Sequence, residues 1–208
     1  MITLTLVVGP LDTNCYILYN DNTKDALVVD PGDKAARILD MVAAHDLKVT
    51  AVVLTHAHFD HMLAAGAVCE ATGAPLWVGA GDADTITDPR RNLSGMFGRG
   101  MAMSMDPDRL LQEGDLLSLG GETLTVLETP GHTPGCICLQ GEELLIAGDT
   151  LFAGSIGRLD FPGGDAEAMK RSLARLAALP EELKVYSGHG DSTTIGQEKR
   201  HNPYLSQI

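Results

Sequence analysis

The chain of 208 residues reads as an α/β protein in which two packed β-sheets are flanked by helices. Three observations predict this. Short apolar runs bounded by Asp, Asn, Gly or Pro alternate with helical periodicity from end to end. Strand-like runs occur in both halves, with helices between them. No low-complexity segment or linker-like shift in composition interrupts the pattern. A single domain spanning residues 1–208 is therefore expected.

In the first half, strands are expected at residues 2–8, 15–19, 26–29, 49–54 and 76–78. A second set follows at 124–127, 136–139, 144–147 and 183–186. Helical spacing at 35–44 puts Ile38, Leu39, Met41 and Val42 on one apolar face, and a similar pattern runs over 62–72. A third helix is expected at 166–179, with Asp165 as its N-cap and Pro180 as its stop. The segment 88–106 follows neither period. It carries Gly95, Gly98 and Gly100 among Met96, Met101, Met103 and Met105, and reads as a loop that is either functional or a methionine-lined patch on the core.

Composition removes several function classes. A formal net charge of −13 without a Lys/Arg cluster repels phosphate backbones, so nucleic acid is not expected as a partner; Arg90 and Arg91 read as a solvated loop. No apolar run approaches the roughly 18 residues of a membrane span. Residues 1–10 lack a basic lead and alternate like a strand, which predicts a soluble, cytoplasmic protein. Cys15, Cys69, Cys136 and Cys138 are too few and too irregular for a disulfide framework, and reduced thiols are expected. The two-residue spacing of Cys136 and Cys138 points to packing on one strand face rather than to metal.

Five of the seven histidines lie at or near the carboxyl ends of expected strands. The run 49–54 leads into His56, His58, Asp60 and His61; 124–127 into His132; 144–147 into Asp149; and 183–186 into His189. Loops at such ends are where an α/β scaffold converges side chains from distant parts of the chain. Imidazole and carboxylate together favour Zn, Fe or Mn, and the lack of thiolate disfavours a closed structural zinc site. In the H-x-H-x-D-H run, two histidines face one ion while the adjacent Asp-His pair turns toward a second. His45 and His201 fit no such pattern and are expected at the surface.

The motifs THAHFDH, GHTPG, GDTLF and SGHG, in that order, resemble those of the metallo-β-lactamase fold hydrolases. The stretch from Phe152 to Asp165, FAGSIGRLDFPGGD, is similar to the small glyoxalase II-like branch. The resemblance implies an αββα sandwich. It also implies two divalent metal ions, zinc first and iron or manganese otherwise. By position, His56, His58 and His132 would hold one ion, Asp60, His61 and His189 the other, and Asp149 would bridge them. Ser187 stands where many family members carry proline. The chain ends at Ile208, shortly after His189, and no C-terminal glutathione-binding helical domain is expected.

The implied activity is hydrolysis of a thioester of the hydroxyacylglutathione kind, with a metal-bridging hydroxide as nucleophile and Asp60 beside it. Two dications outweigh Asp60, Asp149 and the hydroxide, so a small anionic acyl or thioester substrate is expected despite the acidic chain. Asp30 is a candidate to orient a ligand histidine, and Arg158 a candidate to pair with a substrate carboxylate or a nearby acid. One alternative is a persulfide dioxygenase with a single iron on His56 or His58, His132 and Asp149. Another is a non-catalytic metal-binding module.

Overall fold

The computed structural model describes residues 1–96 and 105–206. The first sheet is built from β1 (Ile2–Val8), β2 (Thr13–Tyr19), β3 (Asp25–Val29), β4 (Lys48–Leu54), β5 (Leu76–Gly79) and β6 (Arg109–Leu111), side by side in that order. α1 (Ala35–Ala44) connects β3 to β4, and α2 (Phe59–Met62) and α3 (Ala65–Thr72) lie between β4 and β5. The first two pairings are antiparallel and the remaining three parallel.

The second sheet contains β7 (Leu116–Leu119), β8 (Glu122–Glu128), β9 (Ile137–Gln140), β10 (Leu144–Gly148), β11 (Lys184–Ser187) and β12 (Thr193–Thr194), again in chain order across the sheet. α4 (Ala166–Ala177) crosses from β10 to β11, making them parallel, and α5 (Ile195–His201) follows β12.

Alternation along the strands sorts the apolar residues into three layers. Tyr16, Leu18, Leu27, Val29 and Val53 of the first sheet face Leu117, Leu124, Val126, Leu139 and Ile146 of the second. The opposite residues of β2 to β4, including Ile17, Val28 and Val52, cover Ile38, Val42 and Val68 of the helices on the first sheet's outer side. Leu127, Leu145, Ala147 and Val185 do the same for Met169, Leu173 and Leu176 of α4. Each fully buried aliphatic side chain contributes about 1.5–3 kcal/mol, so the order helix, sheet, sheet, helix follows from period-two strands that are apolar on both faces. No helix among the described residues is long and apolar enough to cross a membrane.

The nine expected strands are all present, with ends differing by at most two residues. The helix expected at 62–72 divides instead. Ala64 N donates to Pro31 O at 2.9 Å, so the chain steps sideways between α2 and α3 rather than continuing one helix. α4 ends at Ala177, ahead of the expected Leu179, and Asp165 caps it by accepting from Ala168 N at 2.9 Å. β6, β7 and β12 are too short to show a period, and α5 carries too little apolar sequence to announce itself.

Cys138 packs in the layer under α4, whereas Cys136 precedes β9 and its sulfur lies 3.1 Å from the Thr133 hydroxyl; both are buried free thiols. Burial pushes both thiols above their ordinary pKa, Cys138 to about 11, which keeps them neutral. Within 88–106, Leu93 is buried and Met105 packs on the first sheet's outer core, while Met96 is exposed. Gly98, Gly100, Met101 and Met103 lie outside the described residues.

Candidate metal centre

The carboxyl ends of β4, β8, β10 and β11 open at the same end of the sandwich. Parallel pairing sets Gly148 beside Ser187, with Gly188 N donating to Gly148 O at 2.8 Å, so Asp149 and His189 emerge together. Ile137 N donates to Thr55 O at 2.9 Å and joins the second sheet to the loop after β4. Ser187 Oγ donates to Leu151 O at 2.8 Å, which ties the loops after β10 and β11.

All seven expected side chains meet there. His56, His58 and His132 form one group, Asp60, His61 and His189 a second, and His56, His61 and Asp149 a third that overlaps both. Asp149 reaches across the centre, 3.4 Å from His61 Nε2, 3.5 Å from His132 Nε2 and 3.7 Å from His189 Nε2.

Outer hydrogen bonds decide which ring nitrogen points inward. His132 Nδ1 donates to Arg158 O at 2.7 Å, His189 Nδ1 to Leu11 O at 3.0 Å, and His61 Nδ1 to Asp30 Oδ2 at 2.9 Å. The Thr55 hydroxyl donates to Asp30 at 2.7 Å and is thereby left to accept from His56 Nδ1 at 3.2 Å. Four Nε2 lone pairs therefore face the centre, joined by His58 Nδ1 at 3.1 Å from His56 Nε2 and 2.8 Å from His132 Nε2.

Such a cluster of acceptors lacks donors, and one buried atom makes this plain. Asp149 Oδ1 has no hydrogen-bond partner among the described residues. A buried acceptor without a donor costs about 1–3 kcal/mol, and a cation relieves several at once. The donor set of imidazoles and carboxylates fits divalent ions of the zinc, iron or manganese kind.

Without a cation the centre splits by charge. Burial, reinforced by the surrounding imidazoles, drives His56 well below its ordinary pKa and His58 down to about 3. Burial also opposes charge on His61, but Asp60, Asp149 and Asp30 outweigh it and hold that imidazole well above its ordinary value. Burial acts downward on His189 as well, but its bond to Asp60 together with the charges of Asp149 and Asp60 raises it. For Asp60 and Asp149 burial acts upward, and the facing histidines more than offset it.

Asp30 is buried, has a left-handed backbone, and accepts from Thr55 N at 2.7 Å as well as from His61. The Arg158 side chain is exposed and pairs with Asp160 at 2.7 Å, with its guanidinium 4.3 Å from the Phe161 ring; its carbonyl, rather than its charge, touches a histidine of the centre. His45 sits at the end of α1 with its ring 5.9 Å from Tyr19, and His201 is exposed.

Sequence reading passed over Thr13, whose hydroxyl donates to Asp60 Oδ2 at 2.9 Å, and Asp82, which is buried beside the histidine loops. It also missed the apolar wall. A pocket of about 310 Å³ opens onto His58, Asp60, His132, Asp149 and His189 between Leu11, Phe59, Leu93, Phe152 and Phe161, with Arg158 at its side. Scattered single apolar residues carry no periodic signal that would have revealed it.

The profile of the metallo-beta-lactamase superfamily matches residues 8–189, which span every element of the centre. The chain belongs to the metallo-beta-lactamase superfamily. Among superfamily relatives, the hydroxyacylglutathione hydrolase GloC of Haemophilus influenzae is 38% identical over 204 residues, covering 96% of this chain and 95% of that protein. A crystal structure of TTHA1623 in a di-iron-bound form aligns with TM-score 0.87 at 36% identity, over 97% of this chain and 100% of the other. The structure of ETHE1 from Myxococcus xanthus aligns with TM-score 0.84 at 33% identity, over 100% and 85% of the two chains. Superfamily membership and the histidine and aspartate clusters together support a metal-dependent enzyme with divalent ions and a small-molecule substrate.

Proposed function

We propose that this protein hydrolyses a thioester of the hydroxyacylglutathione kind, with His56, His58 and His132 holding one divalent ion, Asp60, His61 and His189 a second, and Asp149 between them. The observation that carries the reading is the convergence of seven side chains, with their lone pairs turned inward, at the floor of one apolar pocket. Similarity to a hydroxyacylglutathione hydrolase over nearly the whole of both chains supports the substrate class.

Bound divalent ions supply Lewis acidity toward a carbonyl and lower the pKa of water from about 15.7 to about 7. Phe59, Phe152 and Phe161 enclose the acyl group and exclude bulk water, which strengthens electrostatics at the floor. Asp60 Oδ2, fixed by the Thr13 hydroxyl and facing the pocket, orients the attacking water by accepting a hydrogen bond from it. A thiolate leaves without obligatory protonation, so no separate acid is required. Turnover of S-lactoylglutathione and other acyl thioesters by zinc-, iron- or manganese-loaded protein tests the proposal, and inertness across that panel sinks it.

Gly188 packs flat against the centre: a Cβ there would overlap Asp149 Oδ1 and lie 2.8 Å from His61 Cε1. Gly188→Ala is expected to shift both side chains by up to about 1 Å and to reduce kcat/KM about 100-fold. Steady-state kinetics on folded, metal-loaded variant check this.

Acid should empty the two groups in order. His61 and His189 have raised pKa values and take up protons at higher pH than His56 and His58, whose values are depressed. A protonated imidazole cannot ligate, so falling pH is expected to release the ion at Asp60, His61 and His189 first. Cobalt absorption followed during an acid titration reads the sequence of loss; simultaneous or reversed release contradicts it.

The single-iron dioxygenase reading uses His56 or His58 with His132 and Asp149, and Asp149 Oδ2 lies 3.5 Å from His132 Nε2. One equivalent of iron with oxygen uptake on glutathione persulfide would select it over the hydrolase.

A further inference from the structure

We propose that the Asp82 carboxylate is a positioning group that locks the loop carrying His56 and His58 to the loop carrying His132, and so sets the three histidines in register for their ion. The inference rests on the metal reading above. Asp82 ends a short turn of 3-10 helix (Ala80–Asp82) beyond β5 and is wholly buried. Its Oδ2 accepts from Ala57 N at 3.0 Å, the amide between His56 and His58, and from the Thr133 hydroxyl at 2.7 Å, next to His132. Its Oδ1 accepts from Gly135 N at 3.1 Å.

The two loops thus joined come from different sheets, one after β4 and the other between β8 and β9. A buried carboxylate is retained at a high desolvation cost, and three donors aimed at it from two chain segments make that cost bearable. The approach is close enough to dictate a neighbour: a Cβ on Gly135 would overlap the Asp82 backbone nitrogen and lie 2.5 Å from the Asp82 Cβ. Asp30 contacts a histidine ring directly, whereas Asp82 touches none and acts through the backbone on either side of them. Asparagine in its place offers one acceptor oxygen, and its amide would confront an N–H or O–H donor.

The test measures the affinity of each metal group in full-length protein by chelator competition with Co(II) and Zn(II), for the unaltered chain and for Asp82→Asn, Thr133→Val, Thr133→Ser and Asp30→Asn. Asp82→Asn is expected to weaken the ion at His56, His58 and His132 about 10- to 100-fold, leaving the Asp60, His61 and His189 group close to its original affinity. Asp30→Asn, whose carboxylate braces His61 directly and His56 through Thr55, should weaken both groups. Thr133→Val, which removes one of the three bonds from the histidine loops, should weaken the first group less, and Thr133→Ser should restore it. These Thr133 variants decide the matter if Asp82→Asn does not fold. In Asp82→Asn or Thr133→Val, a lowered melting temperature with both affinities unchanged, or equal weakening of both groups, overturns the proposal. Failure of the unaltered protein to bind metal overturns the metal reading and this inference with it, while two bound ions without thioester turnover overturn only the hydrolase reading.

Discussion

Asp149→Ala is expected to lower kcat/KM on an acyl thioester by about 10³- to 10⁴-fold. Asp149 is the carboxylate that approaches histidines of both groups, at 3.4 Å from His61, 3.5 Å from His132 and 3.7 Å from His189. Its removal leaves Asp60 as the one carboxylate among the proposed ligands, with less negative charge to hold two cations near each other. Metal-derived charge stabilisation is worth several kcal/mol in the transition state, and about 1.4 kcal/mol corresponds to a factor of ten. Asp40→Ala, at an exposed position of α1, serves as the control and should retain full activity. Kinetics with metal analysis on the same samples read the result. Activity within tenfold of the original, at full metal content, would remove Asp149 from its proposed role.

The second large effect concerns stability. Removing metal with a chelator is expected to lower the melting temperature by about 8–16 °C per site, for ions held at a thousandfold excess over Kd. The linkage contributes about 4 kcal/mol at that ratio, and each kcal/mol moves the midpoint of a chain this size by about 2–4 °C. The cause is visible in the centre: the converging lone pairs of His56, His58 and His132 repel one another, and the buried Asp149 Oδ1 has no donor among the described residues. Adding Zn(II), Mn(II) or Fe(II) back should restore the transition, each to an extent set by its affinity. A melting curve indifferent to chelator and to all three metals would contradict a cation-dependent centre.

Much of this architecture was legible because it is local. Strands such as 49–54, broken only at Thr50, and 144–147 are near-continuous apolar runs, as buried parallel strands are, and each is followed at once by its polar residues. The seven residues expected to meet do meet, since strand ends fix where they emerge. Asp30 was visible as a candidate but not decided, because a turn aspartate before proline looks the same whether or not a histidine lies beyond it. Arg158, read as a partner for a substrate carboxylate or a nearby acid, pairs with Asp160, and the atom it turns to a histidine is a carbonyl that every residue type possesses.

By itself, then, the amino-acid order determined the alternation of elements, the two-layered sheet core and the kinds of ligand atom on offer, since periodicity and residue type act over a few positions. Tertiary structure decided which nitrogen of each imidazole faces inward, which acid braces which loop, and which apolar side chains wall the pocket. Those choices depend on partners far away in the chain, as with Asp82 and Thr133 or His189 and Leu11, and packing brings them within hydrogen-bond distance only once both sheets are in place.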